Sequence, residues 1–129
     1  EQNEILTELR IPINDGKSGA AYKKLERKVG DYAIPGAAAS LQFDVDNCSS
    51  TGIALTNVGP TPIRATEAQN ALIGTSVSSD DIDKAAGLAA AASQPVGDHR
   101  GSEEYKRAVV KTMTARAIQT AKDRAEGGS

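Results

Sequence analysis

Apolar and polar residues alternate along the first half of the chain, as they do in β-strands that bury one face. The clearest run is 34–46, and small residues at its beginning indicate that another element approaches closely there. The apolar positions of this run share one parity and are Ala37, Ala39, Leu41, Phe43 and Val45. Weaker alternation predicts strands over 5–13, 21–28 and 52–58. Because Pro12 cannot donate a ladder hydrogen bond, we expect the first of these at a sheet edge.

After residue 58 the apolar spacing lengthens to that of helices. The prolines of 59–62 make a rigid corner. The pattern then predicts a helix over 66–73 that Gly74 ends, a second that begins at Ser78 or Ser79 and runs to Ala92, and a third that Ser102 caps. The apolar stripe of the third helix is Tyr105, Val109, Met113 and Ala117, with Val110 and Ile118 beside it. Strands followed by helices indicate an α+β fold, in which an antiparallel sheet of three to four strands packs against about three C-terminal helices.

The composition adds a constraint on the core. The chain has 129 residues, enough for one domain, and a formal net charge of −2. Only 25 residues are Ile, Leu, Val, Met or Phe, whereas 21 are alanine. Because alanine buries little apolar area, we expect the chain to fold around a thin core, which raises the question of whether it normally packs against another protein part.

Several functional classes do not fit the sequence. No apolar run is long enough for a membrane span, and we expect no signal peptide. The balanced charge argues against nucleic acid as the main partner. Cys48 is the single cysteine, so it cannot form a disulfide or a zinc or iron–sulfur site within the chain. A reducing compartment is compatible with that.

The residues that carry reactive groups favour structural roles. His99 is the single histidine and has no second ligand at metal spacing. Asp80, Asp81 and Asp83 fit the first turn of a helix better than a calcium loop. The segment 98–102 is interpreted as a buried Asp98–Arg100 pair that fixes the entry to the last helix, with an anion site as the less favoured alternative. We therefore predict no catalytic residue and no metal site.

The basic segment 22–32 leaves two alternatives open. It is either a solvated strand with tyrosines at both ends or a place where a cation and an aromatic ring meet an anionic, planar ligand. Physical chemistry alone favours the first, so composition and spacing do not reveal a function.

Three motifs, taken together, resemble one family. They are Ala-Tyr-Lys-Lys-Leu-Glu-Arg-Lys-Val-Gly-Asp-Tyr-Ala at 21–33, Ala-Leu-Thr-Asn-Val-Gly-Pro-Thr-Pro-Ile-Arg-Ala at 54–65, and Asp-His-Arg-Gly-Ser-Glu-Glu-Tyr-Lys at 98–106. In order and spacing they resemble the C-terminal domain of the FAD-binding medium subunit of carbon monoxide dehydrogenase and its molybdenum-hydroxylase relatives, including xanthine dehydrogenase-like enzymes.

The resemblance implies a multi-subunit oxidoreductase. A large partner subunit would carry the molybdenum cofactor, a small one the [2Fe-2S] clusters, and electrons would pass through FAD to an external acceptor. A dimer of such heterotrimers is implied, in the cytoplasm, with a peripheral position at the inner face of the membrane as a variant. Residues 1–16 would be the last strand and linker of an N-terminal FAD-binding domain, and 17–129 the C-terminal domain. Most FAD contacts would lie in the N-terminal half.

Carried over by position, the resemblance implies that Lys24 contacts FAD and that Tyr32 lies beside the flavin ring. The substrate stays open among carbon monoxide, aldehydes and N-heterocycles, although carbon monoxide dehydrogenase is the best match. A different class also stays open, in which the chain is a stand-alone, non-catalytic protein-interaction module with alanine-rich helices as its binding surface. The isolated segment is expected to be inactive in either case.

Overall fold

The computed structural model describes residues 3–11, 13 and 16–127. Four strands precede three helices, in agreement with the predicted α+β class. The strands are β1 (Ser18–Lys24), β2 (Gly36–Asp44), β3 (Asn47–Thr56) and β4 (Ile63–Arg64), and the helices are α1 (Thr66–Leu72), α2 (Ser79–Ala92) and α3 (Glu103–Ala125).

The strands form one antiparallel sheet in the order β1-β2-β3-β4. Period-two alternation sends one side of each strand into the core, and α3 covers that side across β1 and β2. The second helix packs on α3, and α1 lies between α2 and β3. Alanine is the commonest residue of the resulting core, as the composition predicted. In the part of the chain that the structure describes, no helix covers the opposite side of the sheet, where Ala20, Tyr22 and Lys24 of β1 are exposed.

Close packing of α3 against β1 depends on Gly19. Its α-carbon faces the helix so closely that an added Cβ would lie 2.1 Å from the Ala121 carbonyl oxygen and 2.6 Å from the Ala125 nitrogen. At the end of α3, the Arg124 guanidinium donates to the Ala20 carbonyl over 2.6 Å. Helix and strand therefore meet backbone to backbone.

The predicted helix boundaries are confirmed by their caps. The Ser78 side chain accepts from the Asp81 amide over 3.3 Å, and the Asp81 carboxylate accepts from the Ser78 amide over 2.9 Å, which completes a capping box. Ser102 accepts from the Tyr105 amide over 3.1 Å. Gly74 has φ +79° directly after α1, a conformation that glycine adopts without steric cost.

Some predictions about strands are wrong. Residues 5–11 and 13 form no strand and are exposed, because no described strand pairs with them; Pro12 lies outside the described residues. The strand predicted over 21–28 spans Ser18–Lys24 instead, because its ladder follows β2 and ends at Gly36. The short β4 was missed, because two residues are too few to show a period.

Two predicted core positions are also wrong. Val45 is 80% exposed, since it lies in the tight β2–β3 turn with φ +56° rather than on the strand. Tyr105 is 48% exposed, because its ring packs beside Gly101 at the start of α3, while Val110, Met113, Ala117 and Ile118 are buried as expected. Val109 is partly buried against the core.

Candidate functional site

The basic segment singled out in the sequence forms the connection between β1 and β2, here called the β1–β2 loop (residues 25–35). Two backbone hydrogen bonds close its neck: the Leu25 amide donates to the Pro35 carbonyl over 3.0 Å, and the Ile34 amide to the Leu25 carbonyl over 2.7 Å. Its base is thus an extension of the sheet, while Val29 at its far end is fully exposed.

Asn57 holds the loop from the neighbouring strand end. Its Nδ2 donates to the carbonyls of Ala33 and Ile34, the second over 3.1 Å. Asn57 itself has φ +59°, a region that asparagine tolerates better than most residues. Asn57, directly after β3, is therefore a structural clamp on the loop.

Lys24 ends β1 at the loop's base, on the side of the sheet without helices. Its Nζ lies 2.5 Å from a Glu26 carboxylate oxygen and donates to the Asp31 carbonyl over 3.0 Å. The hydrogen bond with Glu26 raises the pKa of Lys24 above its ordinary value, so the ammonium is charged at neutral pH. An ammonium has three N–H donors, and these two acceptors leave one for a ligand.

Tyr32 lies at the outer side of the loop, and its side chain is 82% exposed. Its amide donates to the Asp31 carboxylate over 2.8 Å, which fixes its backbone. Asp31 therefore bonds to both predicted site residues, to Lys24 through its carbonyl and to Tyr32 through its side chain. The structure places Tyr32 on the β1–β2 loop and Lys24 at its base, with Asp31 bonded to both and the tyrosine ring open to solvent.

The interpretation of Asp98 and Arg100 as an ion pair is wrong. The Asp98 carboxylate accepts from the Arg100 amide over 2.7 Å, and this local turn aims it at Lys106, whose Nζ lies 2.9 Å away. The Arg100 guanidinium instead lies 3.8 Å from the Asp31 carboxylate. The Lys106 bond lowers the pKa of Asp98 below its ordinary value. The segment still fixes the entry to α3, with a different partner.

A concavity of about 660 Å³ lies on the helix-free side of the sheet. Small side chains form its floor, and Tyr22 closes one end, with its hydroxyl 3.2 Å from the Thr56 hydroxyl. The edges carry Arg124 and Arg64, and the Arg64 Nε donates to the buried Gln69 over 3.1 Å. Tyr22 also faces the same side of β1 as Lys24, so the groove and the β1–β2 loop adjoin.

Other reactive groups form no site in the part of the chain that the structure describes. No three of its His, Cys, Asp and Glu residues lie close enough together to hold a metal ion. Cys48 is buried, and desolvation raises the pKa of its thiol. His99 is exposed. None of the described helices combines the length and apolar character that crossing a bilayer requires.

Sequence reasoning missed the partners that organise the loop. Glu26 and Asp31 are local, and their signal was an acid two and seven residues after Lys24. Arg100 and Asn57 come from distant segments, and no periodicity links them to the loop. Their presence in the second and third motifs was the one available indication.

Comparison with known proteins matches this chain to one family. Residues 20–121 match the model of the CO dehydrogenase flavoprotein C-terminal domain. The carbon monoxide dehydrogenase medium chain of Afipia carboxidovorans is 43% identical over 126 residues, which cover 98% of this chain and 44% of that protein. The chain thus spans less than half the length of the curated relatives it matches.

Solved structures give the same result. A carbon monoxide dehydrogenase from Hydrogenophaga pseudoflava that lacks the Mo-pyranopterin moiety of its molybdenum cofactor superposes with a TM-score of 0.92 at 40% identity, over 96% of this chain and 43% of that one. Quinoline 2-oxidoreductase from Pseudomonas putida 86 superposes with a TM-score of 0.82 at 30% identity, over 89% and 40%. The same fold thus occurs in enzymes that are named for different substrates, carbon monoxide and quinoline.

Proposed function

Because the chain belongs to the CO dehydrogenase flavoprotein C-terminal domain family, we propose that it is the C-terminal part of an FAD-carrying medium subunit. Its role there is to complete one wall of the flavin site and to dock the subunit in a larger oxidoreductase. The observation that carries this proposal is the ordered β1–β2 loop, which presents a charged Lys24 and an exposed Tyr32 together. The family match makes this function a better conclusion than a stand-alone interaction module.

The residues of the loop fit the ring end of FAD. An ammonium with a remaining N–H can donate to a flavin carbonyl or to a phosphate oxygen, and a phenol ring can cover an isoalloxazine face while its hydroxyl stays wet. The sequence contains neither a Gly-x-Gly-x-x-Gly loop nor a Walker motif. We therefore expect most donors for the pyrophosphate to come from the N-terminal FAD-binding domain that the resemblance implies.

The electron chemistry at such a site belongs to FAD when it is bound, and the protein positions and tunes it. Lys24 orients the cofactor and holds positive charge against it, since its bond with Glu26 keeps it protonated. Tyr32 excludes water from one side of the ring. No residue of this chain has to move a proton for these roles.

The complete enzyme would be a molybdenum hydroxylase, with carbon monoxide dehydrogenase as the preferred assignment. Its large subunit would hold the molybdenum cofactor and its small subunit the [2Fe-2S] clusters, in a dimer of heterotrimers in the cytoplasm. The proposed boundary places 1–16 with the FAD-binding domain and 17–129 in the C-terminal domain. The exposed apolar side chains of 5–11 and 13 support this boundary, because they lie outside the core of the described residues.

Substitutions in the complete FAD subunit test the site. Lys24→Ala should lower the FAD content of the purified subunit, and Tyr32→Ala should change the rate and potential of flavin reduction, whereas Tyr32→Phe should keep the ring's effect. Lys23→Ala is the matched control, because Lys23 is adjacent in β1 but points to the opposite side of the sheet. Unchanged flavin content and reduction in both Ala variants would contradict the assignment.

Two further measurements test the role of the chain as a part. The isolated 129-residue chain should not bind FAD at micromolar concentration, because it lacks the pyrophosphate donors; isothermal titration calorimetry measures this. Affinity purification of the native protein, followed by mass spectrometry, should recover a molybdenum-cofactor subunit and an iron–sulfur subunit. Recovery of the protein alone, without flavin absorbance, would favour the stand-alone module.

A further inference from the structure

We propose that Arg100 is a positioning residue for the flavin-facing pair of the β1–β2 loop and that it acts through Asp31. This inference rests on the proposed function, because it assigns Arg100 a purpose only if Lys24 and Tyr32 meet the cofactor. Arg100 lies outside the loop, in the segment that leads into α3, and contacts neither of the two residues in the hydrogen bonds and ion pairs of the described structure.

Asp31 is the point at which the loop is organised. Its carbonyl accepts from Lys24 over 3.0 Å, and its carboxylate accepts from the Tyr32 amide over 2.8 Å. The same carboxylate oxygen lies 3.8 Å from the Arg100 guanidinium. A rotation of the Asp31 side chain would therefore release the Tyr32 amide directly, and it would reach Lys24 only through a movement of the Asp31 backbone. Arg100 is the cation placed to oppose that rotation.

The Arg100–Asp31 ion pair is partly shielded from solvent, which strengthens its attraction. The Arg100 and Asp31 side chains are 23% and 28% exposed, so bulk water screens them less than a surface pair. Lys24 is the other cation near Asp31, but its ammonium is bonded to the Asp31 carbonyl and to Glu26. Among the described ion pairs, Arg100 is thus the cation that lies against the Asp31 carboxylate itself, 3.8 Å away.

Arg100 is in turn fixed by the beginning of α3. The Asp98 carboxylate holds its amide, and a pair of 3.0 Å backbone hydrogen bonds joins Asp98 to Gly101. Lys106, whose side chain is only 6% exposed, donates to Asp98 and, over 2.7 Å, to the Val96 carbonyl. A continuous series of contacts therefore runs from the helix through Arg100 and Asp31 to Lys24 and Tyr32.

The contact with Asp31 can be tested in the 129-residue chain without any cofactor. Amide hydrogen exchange, measured by NMR, should be about two- to fivefold faster at Tyr32 in Arg100→Ala, because the Asp31 acceptor is released. Arg100→Lys should restore part of the protection. Arg107→Ala removes an exposed arginine from the nearby beginning of α3 and should leave Tyr32 exchange unchanged. Equal Tyr32 exchange in the wild type and Arg100→Ala would overturn the proposal.

A second experiment uses the complete FAD subunit and distinguishes the positioning role of Arg100 from the proposed flavin site at Lys24 and Tyr32. Arg100→Ala should shift the flavin midpoint potential and lower FAD retention in the same direction as Lys24→Ala, but by less, and Arg100→Lys should rescue part of each. If the Lys24 and Tyr32 variants change the flavin while Arg100→Ala does not, the positioning role is wrong and the flavin site stands. If none of the three changes the flavin, the proposed function fails, and the positioning role fails with it.

Discussion

Gly19→Ala should destabilise the protein, because the new methyl group has no space. The added Cβ would lie 2.1 Å from the Ala121 carbonyl oxygen and 2.6 Å from the Ala125 nitrogen, whereas ordinary contacts begin near 3.4 Å. Both obstructing atoms belong to the backbone of α3, so no side chain can rotate aside. Either the helix or β1 must move by more than 1 Å.

Two opposing contributions set the size of the effect. Alanine in a strand interior is favoured over glycine by roughly 0.5–1 kcal/mol, because it loses less backbone freedom on folding. Overpacking a close-packed contact costs about 1–3 kcal/mol, and a clash with backbone belongs at the upper end. We expect a net loss of about 2 kcal/mol in the free energy of unfolding.

Urea unfolding followed by far-ultraviolet circular dichroism measures this loss, and the chain has no tryptophan for a fluorescence assay. Gly87→Ala is the matched control. Gly87 lies inside α2, and an added Cβ there meets nothing within 4 Å, so helix propensity should stabilise that variant by about 1 kcal/mol. If Gly19→Ala were as stable as the wild type, the backbone-to-backbone packing of α3 on β1 would be refuted.

Three other substitutions test the loop clamp, the helix entry and a cap. Asn57→Ala should lower the free energy of unfolding by about 1–3 kcal/mol, because two loop carbonyls lose their donor and alanine disfavours the positive φ. Asn70 is exposed, so Asn70→Ala is the control and should be near neutral in the same urea assay. Lys106→Met should lower the free energy of unfolding by about 1–3 kcal/mol in that assay, because the Val96 carbonyl and the Asp98 carboxylate lose the ammonium that donates to them. The capping box lowers the pKa of Asp81, so its stabilisation is complete above the unfolded pKa of about 3.9 and is lost as the pH falls through the lower folded value. Asp81→Asn should therefore flatten the acid side of a stability–pH curve, whereas Asp80→Asn should not.

The sequence contained most of the fold because the local signals were strong. The parity of Ala37, Ala39, Leu41 and Phe43 identified the buried side of β2, and Ser78 and Ser102 identified two helix starts. The strand predictions that failed were those that depend on which neighbouring strand supplies the hydrogen-bond ladder. The register of β1 is set by β2, and the strand predicted at 5–13 has no described neighbour to give it a ladder.

The candidate site was less accessible to the same reasoning. Lys24 and Tyr32 came from family resemblance, since physical chemistry alone favoured a solvated strand for this basic segment. Nothing in spacing could show that Asp31 bonds to both or that Arg100 faces it, because these contacts depend on how the end of the β1–β2 loop meets the entry to α3. Whether the two residues contact FAD is the prediction that the substitutions above decide.

Helix α3 also has a mechanical consequence. Its 23 residues extend over about 34 Å. Near one end, Arg124 donates a hydrogen bond to the Ala20 carbonyl in β1. Near the other end, Lys106 donates to the Val96 carbonyl, in the segment that contains Arg100. The helix therefore packs along the sheet, with Arg124 fixing one end to β1 and the segment at Arg100 linking its other end to the β1–β2 loop. Tilting the helix would strain the Arg124–Ala20 and Arg100–Asp31 contacts together, so we expect the β1–β2 loop to move with the sheet as one rigid body.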